Sequence, residues 1–338
     1  MNTFHLKSTF RSLWKNRSYS FLNITGLAIG LACAALLFLW LEDELTFDTN
    51  FEKRNNLYLV MENQTFNDVI STVRVTSGLL SPAVKIEIPG IKNSTRMTGG
   101  ATQALFSFRD KVLYENGNHV DSSFFNMFQL KFIRGNARHA FDQLHSLVIT
   151  EKMAGKFFDL SDPIGQILKM DNDQLFTITG VVQNLPENTS LASFEWLAPF
   201  DLVLEKYDWL NHWDANGIFT FVELQPGTDV AQVDKQLYGF LKSKKNTIDT
   251  KCFLFPMPEW HLYDHFTNGK QDGGGQIKYV RLFTLIASLI LIIACVNFMN
   301  LATAKSEQRA KEVGVRKALG AGRKKLISQF IGESLIMS

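Results

Sequence analysis

The sequence predicts a membrane protein in which α-helical transmembrane segments flank a large α+β extracytoplasmic domain. Three observations predict it. Two stretches of more than 20 residues carry no charge, basic residues gather towards both ends of the 338-residue chain, and the long middle mixes strand and helix periods. Whole-chain averages conceal this. At 46% hydrophobic, 20% charged and a net charge of +2, the composition is that of an ordinary soluble protein. It excludes a disordered or collagen-like chain. Near-neutrality also removes any whole-chain case for nucleic-acid binding, so no nucleic-acid partner is expected.

The charge is segregated. Residues 1–20 hold four cations (Lys7, Arg11, Lys15, Arg17) and no acid, and residues 21–41 hold no charge. Residues 42–302 carry a net −7, and residues 303–338 a net +5. Within residues 1–20, Leu6, Phe10, Leu13 and Trp14 fall on one helical face and Lys7, Arg11 and Lys15 on another. This reads as a cytoplasmic amphipathic helix on the inner leaflet, with Lys7, Arg11, Trp14, Lys15 and Arg17 meeting membrane lipids.

Residues 21–41 are the first expected span. At 1.5 Å per residue a helix of this length covers about 31 Å, enough for the hydrocarbon core. Trp40 lies at its end, where an indole favours the interface. The acidic Glu42-Asp43-Glu44 follows with no small-residue cleavage site, so an uncleaved anchor is expected.

Residues 42–278 form the outer domain. Strand-like runs are Leu57–Met61, Leu147–Thr150, Leu175–Val182 and Ile218–Leu224; helix-like runs are Leu79–Ile88, Glu151–Phe158 and Val230–Lys242. Val230, Val233, Leu237 and Leu241 mark the buried face of the last, with Thr228 or Asp229 as its cap. Turns are expected at Asp162-Pro163-Ile164-Gly165 and Leu185-Pro186-Glu187-Asn188. Gly273-Gly274-Gly275 reads as a flexible join to the membrane.

Residues 282–304 are the second span, again uncharged and long enough to cross. The basic flanks place both chain ends in the cytoplasm and residues 42–278 outside it. Lys278 and Arg281 go against the rule, two cations against twelve, and can reach headgroups by snorkelling. Residues 305–325 then form a cytoplasmic segment: a helix opening at Ser306 and Glu307 and ending at Gly320-Ala321-Gly322. Residues 326–338 begin a third, truncated apolar segment.

Catalytic chemistry finds little support. Cys252 is the only cysteine outside the spans, which leaves no intrachain disulfide there, and Cys33 and Cys295 read as small packing residues. His261 and His265 have helical metal-pair spacing with Asp264 between them, but no zincin glutamate and no further ligand accompany them, so no metal or other cofactor is expected. No nucleophile elbow is present, and Gly320-Ala-Gly-Arg-Lys-Lys lacks phosphate-loop spacing. The 28 phenylalanines are spread as core and membrane residues would be.

The segment Asn297-Phe298-Met299-Asn300-Leu301, followed by Arg309-Ala-Lys-Glu-Val-Gly-Val-Arg-Lys-Ala-Leu-Gly-Ala, resembles the FtsX/MacB family of ABC-transporter permeases. Phe51–Val60, Leu80–Ile91, Val120–Gly135, Val148–Gly165 and Thr179–Phe194 look like pieces of the MacB-like periplasmic core domain, most similar to large permeases of Bacteroidetes-type bacteria. The resemblance implies a permease subunit that is not itself an enzyme and that couples ATP hydrolysis on a separate cytoplasmic ABC ATPase to periplasmic movement. The coupling residues would be Arg309, Glu312, Val313, Gly314, Val315, Arg316, Lys317, Ala318, Leu319 and Gly320. A second permease half or homodimer and a periplasmic adaptor are the further partners it implies. Export of antimicrobials, peptides or lipids, lipoprotein release and cell-envelope signalling are its known outputs. Two departures stand out: Phe157-Phe158-Asp159 stands where the family more often has Phe-Gly before its Asp-Pro-Ile-Gly turn, and Asn188-Thr189-Ser190 lacks a common histidine. The family has at least four spans, so the chain reads as a fragment or a split unit. The competing reading is a two-span sensor or adaptor with a periplasmic ligand-binding domain. It predicts a coiled coil or signalling module after the second span, and neither pattern is present.

Overall fold

The computed structural model describes residues 17–159, 161–191 and 194–318, with side chains described from Thr25 to Asn300 and at Thr303 and Ala318. These residues form a helical unit, which comprises the chain before Glu44 and after Lys278, and a large unit, Glu44–Lys278.

In chain order the elements are α1 (Arg17–Leu45), β1 (Leu57–Phe66), β2 (Val69–Val73), β3 (Thr76–Ser77), α2 (Leu80–Glu87), β4 (Ile91–Thr98), β5 (Thr102–Phe108), β6 (Lys111–Val120), α3 (Ser123–Met127), β7 (Phe132–Arg134), β8 (Ser146–Thr150) and α4 (Glu151–Phe158). There follow β9 (Ile167–Met170), β10 (Gln174–Val182), β11 (Trp196–Pro199), α5 (Asp201–Lys206), β12 (Asn216–Leu224), α6 (Val230–Tyr238), α7 (Phe240–Lys244), β13 (Lys251–Pro256), β14 (Phe266–Thr267), β15 (Lys270–Gln271) and α8 (Ile277–Ala318).

The large unit is built on one sheet with two regimes. Its first part, β4-β12-β1-β13, is antiparallel, and the far end of β1 pairs with β2. Tyr58 and Val60 face a core with α2, α6 and α7, while Leu57, Leu59 and Met61 face a second core made largely of phenylalanines: Phe51, Phe124, Phe125, Phe128, Phe221 and Phe255. Both faces are covered, which is why Leu57–Met61 is an unbroken apolar run rather than an alternating one. The free edge of β13 is protected by Asp234 of α6, whose carboxylate accepts from Leu254 N at 2.6 Å.

The second part closes on itself. From β6 the order runs through β5, β9, β10 and β8 to β11, and β11 returns to pair with β6 in parallel register, Trp196 opposite Gly117. The six strands form a small barrel, joined to the open sheet at the single pair Met97–Val120. Phe106, Leu147, Ile149, Leu168, Phe176, Ile178 and Trp196 fill its core together with Met153, Phe157 and Phe158 of α4. Trp196 determines the packing at the seam. Its indole Nε1 donates to Glu115 O at 2.9 Å, and its ring occupies the space that any β-carbon at Gly117 would need.

All four expected strands lie within β1, β8, β10 and β12. Helix α4 spans the expected Glu151–Phe158, with Thr150 Oγ1 accepting from Met153 N at its start. The expected helix Val230–Lys242 breaks at Gly239 into α6 and α7. Asp229 caps α6, and Val233, Leu237 and Leu241 are buried, but Val230 stays exposed because it lies in the first turn, beyond the edge of the core. The glycine triplet also differs from the flexible join expected. Gly273 and Gly275 sit at φ +72° and +70°, and Gly274 N donates to Asp272 Oδ1 at 2.8 Å, so the glycines serve a tight turn.

In the helical unit, the stretches long and apolar enough to cross a membrane are Thr25–Leu45 and Ile277–Asn300. They meet through small residues. A β-carbon at Gly30 would lie 3.2 Å from Ala294 Cβ and one at Gly26 3.9 Å from Asn297 Nδ2, while Ala34, Ala287 and Ala294 are buried. Trp40 meets Phe283 edge-on at 5.0 Å. Cys33 and Cys295, expected as packing residues, lie on exposed faces instead, because the contact runs along the Gly26-Gly30-Ala34 stripe.

Candidate functional site

The family resemblance points to the cytoplasmic end of the second span. The backbone there is one uninterrupted helix of 42 residues, α8, from Ile277 to Ala318. Arg309, Glu312, Val313, Gly314, Val315, Arg316, Lys317 and Ala318 lie on its last turns; Leu319 and Gly320 fall outside the described residues. The separate helix expected to open at Ser306 and Glu307 is absent, and the span simply continues. The physical reason is local: from Ala302 to Lys311 the chain is almost entirely Ala, Lys, Glu, Gln and Arg, all strong helix formers, with no proline or glycine to stop the helix at the membrane border. Beyond Asn300 the helix extends through 18 more residues, about 27 Å. Arg309, Glu312 and Arg316 share a face by position (i, i+3, i+7).

Of the expected lipid-facing residues, Lys7, Arg11, Trp14 and Lys15 lie outside the described residues, and Arg17 opens α1. The Gly26-Gly30-Ala34 stripe was overlooked in reading the sequence, although its four-residue spacing of small side chains is visible there.

In the large unit His261 and His265 do not form a pair. His261 Nε2 meets the Glu44 carboxylate and its ring stacks on Phe47, whereas His265 Nδ1 lies 2.8 Å from Asp272 Oδ1. Among the described residues no group of three or more His, Cys, Asp or Glu side chains is placed to hold a metal.

Three buried polar sites escaped sequence reading, because a glutamate or histidine gives no local sign that tertiary contacts will cover it. Glu62 on β1 is fully buried, and burial pushes its carboxyl up to about 7 despite amide donors from Gln64 and Asn216. Its Oε1 and Asn216 Oδ1 have no partner among the described residues, and Cys252 lies opposite on β13, its thiol pushed up by burial. Glu223 is equally buried, yet Lys92, Asn93 and Lys53 outweigh burial and hold it below the usual carboxylate range. His119 is lowered to about 4 by burial and by Lys206, which keeps it neutral against Trp196. At the barrel mouth, Lys152 and Lys156 of α4 neutralise Glu195 and Glu115 at 2.7 Å each. The two lysine–glutamate pairs of α4 are scaffolding contacts satisfied inside the fold.

The two positions where the sequence departs from the resemblance are structurally distinct. Asp159 ends α4 at φ +52°, a conformation suited to glycine, and its carboxylate accepts from Lys111 Nζ at 3.0 Å. Asn188-Thr189-Ser190 docks on buried Asp48: Ser190 N and Thr189 Oγ1 donate to its carboxylate at 2.7 and 3.1 Å.

Comparison with known proteins agrees with this layout. The MacB-like periplasmic core domain family matches residues 20–238, and the FtsX-like permease C-terminal family matches residues 284–338. The ABC transporter permease YknZ of Bacillus subtilis is 24% identical over 74% of this chain and 60% of its own length. The macrolide export ATP-binding/permease protein MacB of Bdellovibrio bacteriovorus is 23% identical over 99% of this chain. The chain spans only 51% of that relative. A crystal structure of a permease domain from Porphyromonas gingivalis shares the fold of the large unit. Its TM-score is 0.52 at 22% identity, over 68% of this chain and 98% of that one.

Proposed function

We propose a function from the premise that the chain belongs to the FtsX/MacB family of ABC-transporter permeases. The chain is the membrane-spanning permease, and a separate cytoplasmic ATPase binds and hydrolyses ATP. That ATPase docks on the basic end of α8 and the residues that follow it in sequence, Arg309–Gly320. ATP-driven movement of the ATPase displaces this end, the two spans carry the displacement, and the large unit responds on the periplasmic side. The charge segregation supports this orientation, with a net −7 over residues 42–302 between two basic ends.

The observation that carries the reading is the continuity of α8. A helix with no break between the span and the docking segment transmits a push as a stiff rod, whereas a hinge at the membrane border would absorb it. The family that matches residues 284–338 covers this same stretch. A second permease half or a second copy of the chain completes the transporter. Export of a small molecule comes first among the outputs, a reading supported by the relatives named for macrolide and pyoverdine export.

The test is co-purification of the chain with its cognate ATPase from membranes. Arg316→Glu with Lys317→Glu, or Val315→Pro alone, weakens ATPase binding by about tenfold or more, because one reverses the docking charge and the other breaks the rod. If both variants bind the ATPase and support transport as the wild type does, the coupling role is wrong.

A further inference from the structure

Two buried oxygen atoms of the large unit lack a hydrogen-bond partner among the described residues and belong to neighbouring side chains: Glu62 Oε1 on β1 and Asn216 Oδ1 at the start of β12. The two groups are already joined at their other ends. Asn216 Nδ2 donates to Glu62 Oε2 at 2.5 Å, and Gln64 Nε2 donates to the same oxygen at 3.1 Å. A carboxylate oxygen and an amide oxygen can only accept, so an ionised Glu62 leaves two buried acceptors unsatisfied. A neutral Glu62 removes both defects with one proton. Carried on Oε1 and donated to Asn216 Oδ1, it completes the cyclic acid–amide pair whose other half is the Nδ2–Oε2 bond.

The surroundings favour the neutral acid. Glu62 is fully buried and shares its face of β1 with Tyr58 and Val60. From β13 it faces the Cys252 thiol, itself pushed up by burial, and from β2 its register partner is Val73. β12 and β3 present Asn216 and the hydroxyls of Thr76 and Thr220, which bond each other at 2.7 Å. On the helices over this face, Asp234 of α6 accepts from Leu254 N, and Lys242, Lys244 and Lys245 pair with Asp249, Glu87 and Asp214. Lys85 of α2 and Lys235 of α6 are exposed. Among the described residues no cation pairs with Glu62, in contrast to Glu223, and burial sets its carboxyl at about 7.

We propose that Glu62 and Asn216 form a proton-dependent latch that fastens β3 and residues 208–216 to β1, closed while Glu62 carries its proton on Oε1 and released when that proton leaves. The segment hangs on the residues the latch holds. Asn216 opens β12 and pairs with Ser77 of β3, and Ser77 Oγ donates to His212 O at 3.1 Å. A β-carbon at Gly217 would fall 2.4 Å from the Trp209 ring, and one at Gly78 2.6 Å from Leu210 O, so Trp209 and Leu210 lie directly on the same two turns. Loss of the proton to solvent puts a buried charge opposite Asn216 Oδ1. Water relieves it only by reaching the pair, which requires this segment to lift. The latch belongs to the large unit alone and is independent of the permease reading.

The test uses the full chain in nanodiscs at about pH 6 and about pH 8.5, on either side of the Glu62 titration. The infrared difference between wild type and Glu62→Gln shows the carbonyl band of a neutral carboxylic acid at the lower pH and loses it at the higher. Amide hydrogen exchange, corrected for its intrinsic pH dependence, shows protection of β3 and residues 208–218 falling by about tenfold or more over the same interval, the equivalent of one buried hydrogen bond. Strands β8 and β10 of the barrel do not change. Glu62→Gln keeps both bonds as an amide–amide pair, so its segment stays protected at both pH values, whereas Asn216→Ala lacks that protection at both. Absence of the acid band at the lower pH overturns the proposal and leaves an ionised Glu62 held by water or a cation. Equal protection of the wild type at both pH values overturns it too, as does a pH-dependent loss that persists in Glu62→Gln. If Asn216→Ala fails to fold, the wild type and Glu62→Gln decide the outcome between them.

Discussion

Glu62 shows what a single residue can hide. On the primary sequence it is an unremarkable acid near the end of a strand, yet it is fully buried and its carboxyl is pushed up to about 7 from 4.5. The sign follows from proton linkage. Between those two values the folded chain holds a proton that the unfolded chain has released, so this group makes the fold less stable as pH rises from about 4.5 to 7. A shift of this size corresponds to about 3 kcal/mol once both limits are passed. Glu62→Gln keeps the amide contacts and removes the titration. Thermal unfolding of the solubilised protein between pH 5 and 8 is therefore expected to show the variant gaining on the wild type as pH rises. A wild-type-to-variant difference that stays constant with pH would sink this assignment. Trp196 and Gly117 make the same point. Neither is marked by local pattern, and only the parallel pairing of β11 with β6 reveals that the indole needs a glycine opposite.

At the scale of elements, legibility tracked how local the determinants are. Helix α4 was readable to the residue because its cap, Thr150, its apolar face and its end all lie within a few positions. Its C-terminus carries a prediction. Asp159 sits at φ +52° and ψ −108°, where a β-carbon is disfavoured, so Asp159→Gly should raise stability by about 1 kcal/mol. The loss of the exposed Lys111–Asp159 pair subtracts only a fraction of that. Chemical denaturation that finds the glycine variant less stable would show that the pair outweighs the strain. The β5–β6 hairpin, by contrast, was not foreseen, because its strands mix apolar and polar residues with no clean alternation until the barrel gives them an inside. For α8 the error ran the other way. The change from apolar to basic composition after Ala304 looked like a boundary between elements, but helix propensity is indifferent to that change and the backbone continues to Ala318.

At the scale of the whole molecule, the proposed orientation in the bilayer is directly testable. In a background lacking Cys33, Cys252 and Cys295, Asn67→Cys in the exposed β1–β2 turn should react with a membrane-impermeant maleimide from the periplasmic side of spheroplasts. Ser306→Cys should react only after lysis. The reverse pattern would invert the topology and separate the basic end of α8 from any cytoplasmic ATPase.

By itself the sequence determined two segments long and apolar enough to span, the charge asymmetry along the chain, the α+β character of the middle and the family of the basic segment. Each of these is written along the chain: span length is matched to a hydrocarbon thickness, charge to the cost of crossing it, and the basic motif to consecutive positions. Closure of the barrel through β6 and β11, burial of Glu62, and the contacts of His261 with Glu44 and Phe47 were decided only by tertiary structure. They depend on register between segments tens to hundreds of residues apart, and a local period of 2 or 3.6 residues carries no information about which distant partner a strand or side chain will meet.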